Sequence, residues 1–248
     1  VQRQGKRMNM ELGLLVLTAV SIGFVHTVLG PDHYLPFVAM SAARNWTRRK
    51  TMLVTAFCGV GHVLGSIVIG FVGIAIGASL HRLQWLEGVR GDLAAWALIA
   101  FGLVYMAWGL KQAWRSRKHS HEHIHSDGTR HRHTHGHHTQ DEHLHVHIQL
   151  DTDNVRSITP WALFVIFILG PCEALIPLLM YPASQHSWWA VAMVVLVFAV
   201  ATIATMMTIV YLATRGLERF PLASAERYVH ALAGAALSLC GVGIVLGL

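Results

Sequence analysis

The chain has 248 residues, of which 54% are hydrophobic and only 13% are charged, and its formal net charge is +6. Its apolar residues form blocks of about twenty or more with almost no charge, which is a membrane composition and excludes an ordinary soluble domain. The basic excess lies between these blocks, where it orients a membrane protein, so it does not indicate a nucleic-acid partner.

Six apolar runs are long enough to cross a bilayer, and they predict an all-α membrane protein with six transmembrane helices. The predicted domains are a first three-helix repeat at 1–118, a His-rich loop at 119–157 and a second three-helix repeat at 158–248. In chain order, the predicted spans are at about 10–40, 52–79, 92–114, 158–180, 188–214 and 228–248.

The first and fourth spans share a helix-breaking pattern. Residues 30–33 read Gly-Pro-Asp-His with Pro36 beyond, and residues 170–173 read Gly-Pro-Cys-Glu with Pro177 beyond. Proline removes a backbone donor and clashes with the preceding turn, so both spans are predicted to be broken helices. Because each half has an odd number of spans, the two copies are inverted, and inverted repeats with matching breaks are typical of secondary transporters.

Ionisable side chains inside a bilayer are costly unless they have partners, so each one is a candidate functional residue. The first span contains His26, Asp32 and His33, which a bend at the break can gather around a common centre. Asp32 adds either an oxygen ligand or a counter-charge. Imidazole suits nickel, cobalt, copper and zinc, so the cluster predicts a transition-metal site.

His62 is the ionisable residue of the second span, between Gly61 and Gly65. A single histidine on an apolar helix is usually a hydrogen-bonded packing residue. The flanking glycines allow a close helix approach, and we expect this approach to press the imidazole against the first span. Beside a His-Asp-His cluster, His62 is therefore interpreted as a further metal ligand.

Segment 26–33, followed by Gly61-His62, resembles the nickel/cobalt transporter superfamily, and the Gly-Pro-Asp-His element is similar to its six-span UreH-like branch. The resemblance covers the first two spans and the Gly-Pro repeat of the fourth. It implies that His26, Asp32, His33 and His62 bind a divalent metal as substrate, with no resident cofactor and no enzymatic activity. The spacer between His26 and Asp32 is one residue longer than in the permeases, so nickel, cobalt and zinc stay open.

Cys172 and Glu173 lie at the second break and admit other interpretations. Pro171-Cys172 is similar to the membrane thiol carriers of the CcdA type, but such carriers need a thiol in each half and Asp32 occupies the matching position. Glu173 is a candidate proton carrier or outer ligand, and a hydrogen bond that supports the conformation is the competing interpretation. A membrane accessory protein that supplies metal to metalloenzymes is a third alternative.

Twelve of the eighteen histidines lie between the third and fourth spans, interleaved with acidic residues. This composition predicts a disordered loop that captures divalent metals loosely. Its histidines are His119, His121, His123, His125, His131, His133, His135, His137, His138, His143, His145 and His147.

Lysines and arginines concentrate in the first, third and fifth loops, whereas the second loop has only Arg82 and Arg90. The positive-inside rule therefore predicts a cytoplasmic His-rich loop and external termini in a bacterial inner membrane. The expected mechanism is efflux by alternating access, with proton coupling as a hypothesis. The lipid bilayer and the metal ion are the expected partners, and a homo-oligomer stays open.

Overall fold

A computed structural model describes residues 2–77, 79–115, 119–124, 130–135, 152–170, 172, 174–185, 187–217 and 226–247. Within these ranges the chain forms α-helices and one short hairpin. In chain order the elements are α1 (Gln2–Leu29), α2 (Leu35–Arg44), α3 (Arg48–Ala75), α4 (Leu80–Arg115), β1 (His119–Ile124), β2 (Arg130–His135), α5 (Thr152–Leu169), α6 (Leu175–Ser184), α7 (Trp188–Leu217) and α8 (Val229–Val245).

Four segments of the described helices are long and apolar enough to cross a membrane. The apolar part of α5, together with α6 and α8, forms shorter helices. Many large apolar side chains point outward, among them Leu17, Val104 and Leu239, as expected for a surface that faces lipid. The chain is therefore a helical membrane protein, and the four segments are Met10–Leu29, Arg48–Ala75, Leu80–Arg115 and Trp188–Leu217.

The first predicted span is broken at Gly30, as its sequence predicts. α1 ends at Leu29, a single 3-10 turn covers Pro31–His33, and α2 begins at Leu35. The fourth predicted span is broken in the same way, because α5 ends at Leu169 and α6 begins at Leu175. Both breaks follow a Gly-Pro pair, since proline cannot donate the backbone hydrogen bond that would continue the helix.

The turn between α2 and α3 is set by two local signals. Asn45 adopts a left-handed conformation with φ 49°, which asparagine tolerates better than most residues, and α2 ends there. Thr47 then caps α3 by accepting a hydrogen bond from the Lys50 amide at 3.3 Å. This short turn returns the chain so that α3 brings His62 back toward the first break.

α4 begins at Leu80, so the predicted start of the third span at residue 92 is wrong by about three turns. The predicted start was too late because charged residues before position 92 were taken to lie outside the membrane segment. Glu87 is fully buried and Arg90 is 9% exposed, so both belong to the helical interior. Arg90 is therefore not a loop residue, and Arg82, the other basic residue assigned to the second loop, lies in the first turn of α4.

α4 and α8 pack at unusually short range through glycines. A β-carbon at Gly102 or Gly109 of α4 would meet the backbone of α8, and one at Gly234 or Gly241 of α8 would meet the backbone of α4. Small residues at a membrane helix interface allow this backbone approach, which increases van der Waals contact. The packing fixes the helix that carries Glu87 and Arg90.

The other helix contacts surround the two breaks. α1 packs on α7 and α3 packs on α5, while α2 contacts α7 and α8, and α6 contacts α3 and α4. α3 also packs against α7. Two apolar cores result, one around Phe37, Leu98 and Met206 and the other around Phe198 and Leu179.

The described part of the His-rich segment contains a two-stranded antiparallel hairpin of β1 and β2. The register places His119 opposite His135, His121 opposite His133, and His123 opposite His131. The disorder of the loop as a whole stays a prediction. α5 begins at Thr152, before the predicted boundary at 158.

Candidate metal centre

Three histidines from separate parts of the chain meet beside the first break. His26 lies in the last turn of α1, His33 closes the 3-10 turn, and His62 is in the middle of α3. The ring centroids of His26 and His33 are 4.7 Å apart, and those of His33 and His62 are 5.0 Å apart, with nearly perpendicular planes. We call His26, His33 and His62 the imidazole cluster. The structure thus brings together the three histidines that the sequence selected.

Hydrogen bonds fix the orientation of two rings. Nδ1 of His62 lies 3.3 Å from the Phe167 carbonyl oxygen, and Nδ1 of His33 lies 3.2 Å from the Gly30 carbonyl oxygen. A carbonyl oxygen can only accept, so these contacts place the proton on Nδ1 of a neutral ring. The opposite nitrogen, Nε2, then carries a lone pair that is free to bind a metal.

Nε2 of each histidine in the imidazole cluster is buried and has no hydrogen-bond partner among the residues that the structure describes. His33 and His62 are each 3% exposed. A buried polar atom without a hydrogen-bond partner destabilises the folded state by roughly 1–3 kcal/mol. Three such atoms in one place are therefore unusual in a folded protein. A bound cation is the kind of partner that such lone pairs accept, and the chemistry of the donor set suits a transition metal.

Asp32 supports the cluster from one side. Its Oδ1 lies 3.3 Å from Nδ1 of His33, and its side chain is 23% exposed. Metal-ligating histidines commonly donate their other ring nitrogen to a carboxylate, which fixes the ring and increases its basicity. This contact gives Asp32 an orienting role on His33. The predicted role of Asp32 as a metal ligand or counter-charge stays a prediction.

Cys172 approaches the cluster from the second break. One candidate ligand atom each from His26, His62 and Cys172 lies within 4.8 Å of the other two, and Cys172 is fully buried. The sequence had predicted Cys172, together with Glu173, as a possible coupling residue or outer ligand. Its neighbour Glu173 lies outside the described residues.

A small cavity adjoins the cluster on the side of α4 and α8. Its polar lining comes from Asp32, His33 and His62, and its remaining walls are apolar. The cavity leaves room for about one water molecule next to the imidazoles. Its other lining residues are Ala94, Leu98, Ile166, Phe167, Gly170 and Ile244.

Sequence reasoning missed a buried polar network of Ser66, Glu87 and Arg90, which lies one helical turn beyond His62. Arg90 contacts Glu87 Oε1 at 2.9 Å and Ser66 Oγ at 2.8 Å, and Ser66 donates to Glu87 Oε2 at 3.2 Å. Glu87 and Arg90 are three residues apart, so they face the same side of α4. This spacing of opposite charges beside an apolar run was the signal that could have identified the pair.

The polar network holds the second break in place. Arg90 donates to the carbonyl oxygens of Leu169 and Gly170, which α5 leaves unpaired at its end. Glu87 Oε2 accepts from the Cys172 amide at 3.3 Å. The network therefore caps a broken helix at the point where the chain passes the imidazole cluster.

The glycines near His62 lie where another helix approaches closely, and that helix is α5. A β-carbon on Gly61 would lie 2.8 Å from the Phe164 ring, and one on Gly65 would lie 2.8 Å from the Ile168 carbonyl oxygen. Both glycines thus allow close packing on α5, the first half of the fourth span. This packing sets the rotation of α3 about its own axis, and that rotation turns His62 toward His33.

The loop histidines are described in part. His119, His121, His123, His131, His133 and His135 belong to the hairpin strands. The other predicted loop ligands, His125, His137, His138, His143, His145 and His147, lie outside the described residues. The capture role of the loop stays a prediction.

No protein-family profile matches the chain, and no solved structure matches it. The chain is 30% identical over 112 residues to the chloroplast protein FOR GROWTH AND FERTILITY 2 of Arabidopsis thaliana. The matching segment covers 44% of this chain and 27% of the plant protein. The similarity thus reaches part of each protein and leaves the family of this chain open.

Proposed function

We propose that this protein is a secondary transporter of divalent transition metal ions, with nickel and cobalt as first candidates and zinc as a third. The observation that carries the proposal is the imidazole cluster, in which neighbouring rings lie 4.7–5.0 Å apart and each Nε2 is buried without a hydrogen-bond partner within the described part of the chain. In a membrane protein, polar groups at this depth mark substrate pathways. The resemblance of segment 26–33 to the nickel/cobalt transporter superfamily and its UreH-like branch supports the same conclusion.

Burial of the cluster favours transport over a permanent structural metal. The imidazole cluster lies where two helices are interrupted, and half-helices that surround a central site are the usual substrate sites of secondary transporters. His33 and His62 are almost fully enclosed, so an ion held there would be occluded. Release to either side requires movement of the half-helices, which is the step that alternating access supplies.

The helix contacts support an inverted repeat of three plus three helices. Exchange of the two halves pairs α1 and α2 with α5 and α6, α3 with α7, and α4 with α8. Under this exchange the contact of α1 with α7 becomes that of α5 with α3, and the contact of α2 with α8 becomes that of α6 with α4. All four contacts are present, as are the self-related contacts of α3 with α7 and of α4 with α8.

The distribution of basic residues favours efflux. With Arg90 buried in α4, the contrast between the second loop and the basic first, third and fifth loops is sharper than the sequence suggested. The His-rich segment is then cytoplasmic, where it would concentrate ions before export. Competition between protons and metal for imidazole would make binding and release depend on pH.

Metal binding at the imidazole cluster can be tested in a full-length chain whose twelve loop histidines are replaced by asparagine, here called the loop-substituted chain. The loop-substituted chain keeps His26, His33 and His62. We expect the purified protein to bind one nickel or cobalt ion. His33→Ala should weaken binding by at least tenfold. His230→Ala is the matched control, since His230 hydrogen-bonds Tyr105 at 2.9 Å away from the cluster.

Failure of the loop-substituted chain to bind nickel, cobalt or zinc, while it remains folded, would overturn the proposed function. Equal binding by His33→Ala and His230→Ala would do the same. Transport itself is measured by the content of radioactive nickel in cells that express the chain. We expect lower accumulation than in cells that express His33→Ala, and higher accumulation would reverse the proposed direction.

A further inference from the structure

Cys172 lies where the second break meets the imidazole cluster. The backbone leaves α5 after Leu169 and enters α6 at Leu175, and between them the Cys172 side chain is fully buried. A ligand atom of Cys172 is within 4.8 Å of ligand atoms of both His26 and His62. Metal–sulfur and metal–nitrogen bonds of about 2.0–2.3 Å place tetrahedral donors about 3.3–3.8 Å apart, so a small inward shift of these side chains would let one metal ion contact all three.

The histidines beside the thiol show that the position suits a ligand. Nε2 of His26 and Nε2 of His62 are buried and have no hydrogen-bond partner in the described ranges. His62 is held by its contact with the Phe167 carbonyl oxygen, in the last turn before the second break. The element that carries Cys172 thus also orients the imidazole next to it.

The backbone at Cys172 is fixed on both sides. Its amide donates to Glu87 Oε2 at 3.3 Å, and its carbonyl oxygen accepts from the Leu175 amide at 3.0 Å. Arg90 binds two carbonyl oxygens that come shortly before Cys172 in the chain, at Leu169 and Gly170. Ligand groups held in this way lose little freedom on binding, which favours a specific metal site.

Charge balance also favours a thiolate in the loaded site. A divalent ion brings two positive charges into a buried region, where uncompensated charge is costly. Asp32, next to His33, supplies one negative charge. The Glu87–Arg90 ion pair compensates itself and so adds none. A deprotonated Cys172 supplies the second negative charge.

We propose that Cys172 is a direct thiolate ligand, so that His26, His62 and Cys172 bind the ion together beside the His33 ring. On binding, the Sγ–H bond breaks, the proton passes to solvent, and an Sγ–metal bond forms with no transfer of electrons. A tetrahedral site of nitrogen and sulfur donors selects zinc-like ions over hard ions such as magnesium and manganese. This inference rests on the proposed function and refines its substrate class.

Cobalt spectroscopy tests the thiolate ligand directly. Cobalt(II) bound by the loop-substituted chain should show intense visible bands of tetrahedral geometry and a near-ultraviolet charge-transfer band from thiolate to cobalt. Cys172→Ser should lose the charge-transfer band and weaken cobalt binding by at least tenfold. Cys58→Ser is the matched control, since Cys58 is a free, buried thiol on the same helix as His62. The spectrum of Cys58→Ser should equal that of the loop-substituted chain with all of its cysteines.

The outcomes separate the two proposals. Cobalt binding without a charge-transfer band, or a band that survives Cys172→Ser, would overturn the thiolate ligand and leave metal transport standing. Absence of any cobalt, nickel or zinc binding would overturn the proposed function itself. Competition between metals adds a second readout. Zinc should displace cobalt from the loop-substituted chain, and the preference for zinc over cobalt should fall at least tenfold in Cys172→Ser.

If Cys172→Ser fails to fold, the same cobalt measurements are made on Cys172→Ala in the loop-substituted chain. Circular dichroism of both variants shows whether each is folded. A folded Cys172→Ala that keeps the charge-transfer band overturns the inference. A folded variant that binds cobalt with visible bands alone supports it.

Discussion

Arg90 and Glu87 form a buried ion pair inside α4, with 2.9 Å between Arg90 Nη1 and Glu87 Oε1. The pair does more than join two residues of one helix, because Arg90 also binds the end of α5 and Glu87 also binds the Cys172 amide. It therefore connects α4 to the break that faces the imidazole cluster. Disturbance of the pair is expected to affect both stability and metal binding.

Removal of one partner of the ion pair should cost more than removal of both. Arg90→Met leaves the Glu87 charge without its cation, and loss of one member of a buried pair typically costs about 3–5 kcal/mol. The double variant Glu87→Gln/Arg90→Met avoids the uncompensated charge and should be more stable than Arg90→Met alone. Thermal unfolding in detergent, followed by the fluorescence of the eight tryptophans, measures the order of stability of the variants. Equal stability of the single and double variants would contradict the prediction.

Asp32→Asn should weaken metal binding while the protein stays folded. The change removes the charge 3.3 Å from His33 Nδ1 but keeps the shape of the side chain. Loss of such an orienting carboxylate commonly lowers metal affinity by about 10- to 100-fold. Titration of the loop-substituted chain with cobalt measures the effect. Asp92→Asn, at an exposed position on α4, should leave the affinity unchanged.

Gly30→Ala should disturb the metal centre directly. A β-carbon there would lie 2.6 Å from His33 Nδ1 and 2.8 Å from Asp32 Oδ1, so both side chains would have to move. We expect cobalt affinity to fall by at least tenfold. Gly88→Ala provides the control, because its β-carbon would meet no atom within 4 Å of it in the described structure. A Gly30→Ala variant with unchanged affinity would show that His33 does not fold back over Gly30.

Metal affinity should fall as the pH is lowered. Metal binds the neutral imidazole and the thiolate, whereas protons bind the same atoms, so each bound proton excludes the metal. We therefore expect the affinity to decline progressively as the proton concentration rises. Equilibrium dialysis of the loop-substituted chain at a series of pH values measures it. Affinity independent of pH would argue against histidine and cysteine ligands.

Gly234→Val should prevent correct assembly of the bundle. Its β-carbon would meet the backbone of Met106 and Gly102 on α4, and a backbone cannot move aside as a flexible side chain can. Gly243→Val on the same helix meets nothing within 4 Å among the described atoms and should fold normally. The yield of monodisperse protein in gel filtration distinguishes the two variants. Similar yields would contradict the close packing of α4 on α8.

The sequence by itself determined the features that depend on local chemistry. Long apolar runs without charge specify membrane helices, and Gly30-Pro31 specifies a break because proline cannot continue the helical hydrogen bonds. His26, His33 and His62 were identifiable because ionisable groups are costly inside apolar segments. The helix start at residue 92 was misplaced for the same reason, since charge at Glu87 and Arg90 was taken as exposure.

Only the tertiary structure decided which distant groups share one environment. Glu87 and Arg90 can be buried because α5 presents the carbonyl oxygens of Leu169 and Gly170 to the guanidinium, and no local pattern in α4 reveals that partner. Cys172 joins His26 and His62 because the two breaks meet, although 110 positions separate His62 from Cys172. Helix composition sets which residues enter the membrane, whereas the packing of helices sets which of them face each other, because burial and ligand geometry depend on atoms from other helices.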